Sequence, residues 1–347
     1  MPRALTGLCS IGGHAGFHNA KKKVALARRE NYASTSQLTN MKPLTRRKFI
    51  AATAATAATA SAAALPGEAL SRKPKQEIID LHQHTNYSGR NDERMLGHQR
   101  ALGVKWTVLL PAGRLYGLAA NCGGNKSVRR ITVKNPRNYI HFANEIADHP
   151  ECIATIESFL KKGAVGIGEQ KFKVECDSKH IQRIAELAQE YDVPVLMHFE
   201  HGNYNTGIER FHSILEKFPK VNFIGHAQTW WGNIDKNHDQ TVMYPKGKVT
   251  PSGISDRLLS DYPNMFGDMS AGSGQNALIR DETQAVEFIK RHQNKLLFGS
   301  DCNDIIGRGP SCIGARTIGI IRRLIPHTKI QDKLFSGNIR RIVRIPK

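Results

Sequence analysis

The sequence is long enough for one large domain or two ordinary ones, and its composition excludes a wholly disordered chain. It has 347 residues, of which 40% are hydrophobic and 7% are aromatic, as in proteins that fold around a core. The 50 Lys and Arg residues exceed the 30 Asp and Glu residues, which gives a formal charge of +20. Such a charge suggests a nucleic-acid or anionic-surface binder, so its distribution along the chain decides what it means.

Nearly half of the excess positive charge lies in the first 64 residues, which hold ten Lys and Arg residues and one acid. Within them, Arg46 and Arg47 precede Phe49 and an Ala/Thr stretch, and Ala62 and Ala64 form an A-x-A cleavage pattern. This segment resembles a bacterial twin-arginine export signal. The alternatives are an Ala-rich helix or a membrane anchor, but the apolar run is too short and too polar for a stable membrane span.

Three regions follow from this resemblance. We predict an over-long start or an extended leader over 1–40, a twin-arginine signal peptide over 41–64, and the mature domain over 65–347. The leader is expected to be disordered, and the mature protein to be periplasmic or secreted after passage through the twin-arginine translocase.

The cysteine pattern does not indicate a fold held together by disulfides. Five of the six follow the leader, and they form no C-x-x-C pair, so we predict neither a disulfide framework nor a zinc knuckle. One or two disulfides are compatible with an oxidising compartment. Cys302 is interpreted as a small buried residue rather than a nucleophile.

Short apolar runs alternate with helical patterns along residues 65–347, which is typical of repeated βα units around a parallel sheet. Several runs are apolar on both faces, as buried parallel strands must be. We therefore predict an α/β fold, a (βα)8 TIM barrel. The predicted strands are 77–81, 105–110, 164–168, 193–197, 221–224, 265–269 and 295–298. The predicted helices are 92–102, 136–148, 153–162, 178–191, 207–218, 253–261 and 281–293, with one or two more over 330–345.

The third strand of this barrel is not found by the pattern. A closed barrel of this class needs eight strands, and one is lacking between the second predicted strand and the strand at 164–168. Only residues 149–152 connect the two helices predicted there, which is too short for a strand and its turns. The third strand is therefore expected to be very short, irregular or missing.

Potential metal ligands stand at the carboxyl ends of five predicted strands, where βα barrels keep their active sites. His82 and His84 lie two residues apart on the first strand, so both can face one ion. A single such pair is as often a pair of core histidines. Ligand residues at five separate strand ends favour a metal site, and the other four are Glu169, His198, His226 and Asp301.

This ordered set resembles the amidohydrolase superfamily of metal-dependent hydrolases. The segments GVKWTVLLP, GAVGIGEQKF, VPVLMHFEHGNYNTG, VNFIGHAQTWWGNI, MFGDMSAGSG and LLFGSDCND are similar to its amidohydrolase-related branch, amidohydrolase 2. The resemblance covers about residues 77–345. It implies a distorted (βα)8 barrel with one or two divalent ions at the carboxyl ends of the strands.

The resemblance also assigns ligands. It implies that His82 and His84 bind the more buried ion together with Asp301. It implies that His198 and His226 bind a second ion or, in one-metal members, hold the metal, water and substrate.

A bridging ligand and a mechanism follow from the same resemblance. Glu169 stands where many relatives have a carboxylated lysine between two metals, and Lys171 is the second choice for that bridge. A divalent ion lowers the pKa of its bound water from about 15.7 toward about 7. Asp301 would take the proton of that water and pass it to the leaving group, with His226 as the second catalytic residue. Zinc is the expected ion, and manganese or iron would also fit.

Substrate contacts are expected from the loops that follow the strands. Arg114 follows the second strand, Asn203 and Tyr204 follow the fifth, and Trp230 and Trp231 begin a loop that runs to about residue 251. A loop of this length suits a lid. The alternative for the two tryptophans is packing against the rim of the barrel.

Four functions remain open. The leading hypothesis is a metal-dependent hydrolase acting on a small lactone, amide or ester, with a small molecule as its partner. The same fold and metal would also serve a decarboxylase or hydratase of unsaturated or aromatic acids. A phosphodiesterase or nuclease is less favoured, because the basic residues are scattered rather than interleaved with aromatics, and no nucleic acid is expected. The fourth is an inactive binding protein. A homo-oligomer is compatible with all four.

Overall fold

Eight parallel strands form the centre of the part of the chain that the structure describes. The computed structural model describes residues 76–113 and 122–346, so the predicted leader and signal peptide lie outside the described residues. The strands are β1 (Ile79–Gln83), β2 (Trp106–Leu109), β3 (Tyr139–His141), β4 (Ile167–Gln170), β5 (Val195–His198), β6 (Phe223–His226), β7 (Met265–Asp268) and β8 (Leu296–Leu297). They are almost entirely buried, which is why they are apolar on both faces.

Backbone hydrogen bonds close these strands into a barrel. Strands β1, β2 and β3 pair in that order, and β4 to β8 pair in sequence order. Between β3 and β4, the Ala143 N–H donates to the Gly166 carbonyl at 2.9 Å. Between β8 and β1, the Leu81 N–H donates to the Phe298 carbonyl at 3.1 Å. The predicted α/β (βα)8 barrel is confirmed.

The third strand is present, and the helix predicted over 136–148 is wrong. Strand β3 lies inside that range, and its register pairs Thr107 with Tyr139 and Leu109 with His141. It has only three residues, of which the middle one, Ile140, is partly exposed, so it is too short to give a clear strand pattern. The helix that precedes it, Asn125–Lys134, is rich in Lys and Arg. Its apolar stripe, at Val128 and Ile131, is too short to give a clear helical pattern.

The helices occupy the outer layer and connect the strands. Their bounds are α1 (Asp92–Leu102), α2 (Asn125–Lys134), α3 (Cys152–Leu160), α4 (Lys179–Tyr191), α5 (His212–Lys217), α6 (Gln228–Gly232), α7 (Ile254–Asp261), α8 (Ala271–Ile279), α9 (Glu282–His292), α10 (Ile313–Leu324), α11 (Thr328–Asp332) and α12 (Asn338–Ile342). The range 330–345 thus forms short helices, joined by a π-helical turn at Lys333–Gly337. No helix in the described ranges is both long and apolar enough to cross a membrane.

Helix α4 shows how the sequence sets these elements. The side chain of Ser178 accepts a hydrogen bond from the Ile181 N–H, which caps the first turn. Ile181, Ile184, Ala185 and Ala188 recur at helical spacing, and all are buried. The helix therefore covers the barrel with one apolar face, and the strand ends remain free for polar residues.

Candidate metal centre

The first two ligand candidates point into the carboxyl end of the barrel from β1. His82 and His84 are both buried, and their Nε2 atoms lie 3.1 Å apart. The Nδ1 of His84 lies 2.8 Å from the Leu110 carbonyl oxygen. The Nδ1 of His82 lies 2.7 Å from Asp268 Oδ2. Because each Nδ1–H has an acceptor, each Nε2 presents its lone pair to the centre, the tautomer that a metal ligand requires.

Two carboxylates face the same point. Glu169, at the end of β4, places Oε2 3.6 Å from His82 Nε2 and 3.5 Å from His84 Nε2. Asp301, which follows β8, places Oδ1 3.8 Å and 3.6 Å from the same two nitrogens. The backbone of Asp301 is held in the left-handed region at φ 41°, and its N–H donates to the His82 carbonyl at 2.8 Å. Strands at opposite ends of the sequence are thereby brought to one site.

His226 completes the cluster from β6. Its Nε2 lies 3.7 Å from Glu169 Oε1 and 3.7 Å from Asp301 Oδ2. Its Nδ1 lies 3.2 Å from Asp268 Oδ2 and 3.1 Å from Ser270 Oγ. As for the two other histidines, the hydrogen bond at Nδ1 leaves Nε2 directed at the centre.

Asp268 is a site residue that the sequence reasoning missed. It is fully buried at the end of β7, and its Oδ2 accepts from the rings of both His82 and His226. Ser270 supports it, with an Oγ that donates to Oδ2 at 2.7 Å. The signal was present, because MFGD is another apolar strand that ends in a carboxylate, like the strands that were recognised.

The donor set fits a divalent metal ion. Three nitrogens and two carboxylates converge, and the distances between neighbouring donors are 3.1–3.8 Å. Donors about 2.1 Å from a tetrahedral ion are themselves about 3.4 Å apart. Asp301 Oδ1 is buried and has no hydrogen-bond partner among the described residues. Two overlapping groups could hold an ion, His82–His84–Asp301 and His82–Glu169–His226.

The electrostatics of the cluster favour positive charge at its centre. Burial alone would lower the pKa of His82, but the charge of Asp301 and the hydrogen bond to Asp268 raise it well above its ordinary value. Burial opposes ionisation of Glu169, yet its contacts with His198 and His82 lower its pKa well below the usual range. The pKa of Asp301 is also lowered, against burial, by the neighbouring histidines. The carboxylates stay ionised and stabilise a cation between them.

His198 lies beside this cluster with both ring nitrogens directed at carboxylates. Its Nδ1 is 2.5 Å from Glu169 Oε1, and its Nε2 is 3.2 Å from Glu200 Oε2. It belongs to neither group that could hold an ion. In this arrangement the His198 ring lies between the carboxylates of Glu169 and Glu200.

The predicted substrate residues of the fifth-strand loop line the same side of the site. Asn203 Nδ2 donates to Glu200 Oε1 at 2.8 Å, and the Tyr204 ring contacts the His198 ring edge-on. The Lys171 ammonium lies 5.5 Å from the centre of the Tyr204 ring. Although burial lowers the pKa of Lys171, the charges of Glu169 and the other acids raise it, so this lysine remains a cation. Arg114 lies outside the described residues.

The tryptophans of the sixth-strand loop pack inside the wall of the barrel. Trp230 is fully buried and its ring stacks on Phe199 at 6.0 Å. Trp231 is 3% exposed, and its Nε1 donates to the Asp268 carbonyl at 2.9 Å. Of the two alternatives, packing is the one that the structure shows, so the expected substrate contact at Trp230 and Trp231 is not supported. Trp231 instead supports the backbone of Asp268.

No family model matches the chain, and no curated protein matches it. Solved structures do. An uncharacterised TIM-barrel protein from Bordetella bronchiseptica is 15% identical, with a TM-score of 0.56 over 77% of this chain and 98% of its own. A probable 2-pyrone-4,6-dicarboxylic acid hydrolase from Acinetobacter baumannii, with citric acid bound, is 13% identical, with a TM-score of 0.52 over the same shares of the two chains. A Burkholderia multivorans amidohydrolase with bound zinc is 11% identical, with a TM-score of 0.54 over 78% of this chain and 100% of its own.

These similarities show the fold. Each of the three similarities covers nearly the whole length of the other protein. The barrel of this chain therefore corresponds to a complete domain of that architecture. At identities this low, chemistry has to be argued from the side chains themselves.

Proposed function

We propose that the chain is a metal-dependent hydrolase that uses a metal-activated water to attack a small lactone, amide or ester. The observation that carries the proposal is the convergence of five donor side chains, from the ends of three strands (β1, β4 and β6) and the segment after β8, on one buried point at the carboxyl end of the barrel. A hydrolase and a zinc-bound amidohydrolase among the solved structures of this fold support it.

The residues would divide the work of holding the ion. His82, His84 and Asp301 form the group with mutual contacts at 3.1–3.8 Å, and we assign the ion to them, with Glu169 as the bridging or additional carboxylate. When bound there, zinc or another divalent ion supplies a Lewis acid and lowers the pKa of a water toward neutrality. Asp268 fixes the tautomer of His82, which keeps its Nε2 free for the ion.

Asp301 is positioned to move the proton. Its lowered pKa keeps it a carboxylate at neutral pH. With Oδ1 assigned to the ion, the second oxygen, Oδ2, is left to accept a proton from water. The protonated Asp301 can then deliver that proton to the leaving group. His226 Nε2, 3.7 Å from Asp301 Oδ2, is aimed at the same space and would orient the attacked carbonyl or share its developing charge.

A cationic wall at the side of the site suits a substrate with an acidic group. Lys171 is half-buried and interacts electrostatically with Glu169, Asp301 and Glu200. The Tyr204 ring lies 5.5 Å from its ammonium, and Asn203 donates to Glu200. We propose that Lys171, Tyr204 and Asn203 bind the substrate rather than the metal. Glu169 rather than Lys171 then serves as the additional metal ligand, because its carboxylate is the group that faces the Nε2 atoms of His82 and His84.

The reaction can be tested directly on the purified, metal-loaded protein. Within a panel of substrates, lactones and esters should yield proton release and amides should yield free amine, and Asp301→Asn should lower kcat by roughly 10²–10⁴-fold, the range of general acid–base catalysis. Carbon dioxide release from aromatic or unsaturated acids would instead indicate that the same site catalyses decarboxylation. Activity on phosphodiesters alone would contradict both. Metal binding without turnover of any carbonyl substrate would indicate a binding protein.

We propose export separately, on the Arg46-Arg47 pair and the Ala62-x-Ala64 pattern alone. Residues 41–64, fused to a folded reporter, should carry it across the membrane of a bacterium with a working twin-arginine translocase. Replacing both arginines with lysine should retain the reporter in the cytoplasm. Export of the variant at the original level would contradict the proposal.

A further inference from the structure

A second cluster of metal-binding side chains lies behind the catalytic centre. His98 on α1, Cys302 after β8 and Cys312 at the start of α10 are all at most 1% exposed. One donor atom from each lies within 4.8 Å of the others, so the three could hold an ion. Helix α1 and the segment between β8 and α10, more than 200 residues further along the chain, are thus brought together around two thiols and an imidazole.

The distances match those of a thiolate–imidazole metal site. The two Sγ atoms are 3.9 Å apart, and Cys312 Sγ is 3.3 Å from His98 Nε2. Around a tetrahedral zinc ion, two thiolates lie about 3.8 Å apart and a thiolate lies about 3.6 Å from an imidazole nitrogen. The other ring nitrogen, His98 Nδ1, is buried without a hydrogen-bond partner among the described residues.

The backbone around the cluster supports negative charge on sulfur. Cys312 caps the 12-residue helix α10, and its Sγ accepts the Ala315 N–H at 3.3 Å. The amino end of a helix stabilises an anion. Two thiolates prefer soft or borderline ions such as zinc over hard ions that require oxygen ligands.

The loop that joins the two cysteines is built tightly against α1. Gly307 has φ +77°, and a Cβ at that position would lie 2.2 Å from the His98 carbonyl oxygen. The carboxylate of the nearby Asp304 already accepts hydrogen bonds from the Gly307 N–H at 2.8 Å and from the Ser311 hydroxyl at 3.1 Å. Among the described residues, the cluster therefore offers three protein ligands.

We propose that His98, Cys302 and Cys312 bind a thiophilic divalent ion, zinc, at a site separate from the catalytic centre. On binding, each thiol forms a sulfur–zinc bond and releases its proton to solvent, and His98 donates its lone pair. Because Cys302 directly follows Asp301, the ion ties the catalytic aspartate's loop to α1 and α10. Gln83 reinforces this connection, with an Nε2 that donates to the Cys302 carbonyl at 3.0 Å.

Cobalt substitution tests this site without reference to activity. The purified, reduced, metal-free full chain is loaded with Co²⁺, and the sulfur-to-cobalt charge-transfer absorption in the near ultraviolet is recorded. We expect this absorption in the wild type and its loss in Cys302→Ser and Cys312→Ser. Cys152→Ser, which removes a buried thiol outside the cluster, is the matched control and should retain it.

The readout is independent of the proposed hydrolase. The donors assigned to the catalytic centre are nitrogen and oxygen atoms, so a His84→Gln variant should keep the charge-transfer absorption even when it loses activity. Zinc-edge X-ray absorption of the wild type should show sulfur in the coordination sphere, a measurement that needs no variant to fold. Two freely titrating thiols without the absorption would overturn the proposal. So would a Cys302–Cys312 disulfide in the protein as isolated under non-reducing conditions.

Discussion

Two buried histidine–aspartate pairs of nearly the same length have different roles in this molecule. His82 and Asp268 are 2.7 Å apart at the carboxyl end of the barrel, and His292 and Asp256 are 2.6 Å apart between α9 and α7. All four side chains are buried. A short contact between an imidazole and a carboxylate therefore does not by itself mark a functional site.

The difference lies in what else surrounds each pair. Asp256 also accepts hydrogen bonds from the Arg291 guanidinium at 3.0 Å and from the Ser252 N–H at 2.8 Å, so its charge is balanced locally. Asp268 pairs with two histidines, His82 and His226, rather than with a guanidinium. The Nε2 atom of His82, on the far side of the ring, faces two more carboxylates. The His292–Asp256 pair ties two helices together. The His82–Asp268 pair instead aims the Nε2 lone pair of His82 at a site for a cation.

The largest effect is expected from replacing the two histidines in parallel. His82→Gln removes a nitrogen that contacts both other members of the His82–His84–Asp301 group, so the metal affinity of the catalytic centre and hydrolysis should both fall by more than about 100-fold, beyond what loss of an outer partner costs. His292→Gln should leave both unchanged. Metal analysis and steady-state kinetics check this, and equal losses in the two variants would remove the distinction.

Asp268→Asn should have the next largest effect. The amide keeps the size of the side chain but cannot accept from both rings as a carboxylate does, so the tautomers of His82 and His226 are no longer fixed. Metal affinity should fall about 10–100-fold. Competition with a chromophoric chelator measures this, and unchanged affinity would mean that Asp268 is merely a buried acid.

Asp256→Asn should destabilise the fold and spare the metal. Loss of hydrogen bonds to a charged carboxylate costs about 2 kcal/mol in the free energy of unfolding. The contacts with His292 and Arg291 lower the pKa of Asp256 despite burial, so its contribution is complete above the unfolded value of about 4 and disappears as the pH falls through the lower folded value.

Urea unfolding at pH 7 and at pH 3 measures this contribution. The wild type and Asp256→Asn should differ most at pH 7 and converge in acid. A difference that grows on acidification would have the wrong sign for a lowered pKa. Asp256→Ala, which also creates a cavity, should be less stable at both pH values.

Much of this site was predictable because its signals are local. His82, His84, Glu169, His198, His226 and Asp301 all stand where an apolar strand ends, and parallel strands bring such ends to one face. Their division of labour was not predictable. That His198 binds Glu169 and Glu200 instead of joining the two metal groups depends on side-chain directions set by the packed barrel.

The failures have physical causes in particular residues. Strand β3 has three residues, and the run from Asn135 to Asn144 that contains it could equally be helical by pattern. The paired tryptophans suggested a lid, yet Trp230 fills a space where a Cβ on Gly225 would meet its ring at 2.4 Å. Such complementarity between distant residues has no periodic signature in a sequence.

The smallest expected effect separates two serines that each support one of the aspartates. Ser270 Oγ donates to the carboxylate of Asp268 at 2.7 Å, and Ser260 Oγ donates to the backbone carbonyl of Asp256 at 2.9 Å. Each hydrogen bond is worth about 1 kcal/mol. In Ser270→Ala that loss falls on the orientation of two metal-facing histidines, so metal affinity should drop about fivefold. In Ser260→Ala it falls on the fold alone, so metal affinity should be unchanged while the urea midpoint decreases slightly. A fall in metal affinity in both variants would contradict this separation. It would show that the His82–Asp268 and His292–Asp256 pairs are coupled through β7 and the helices around it.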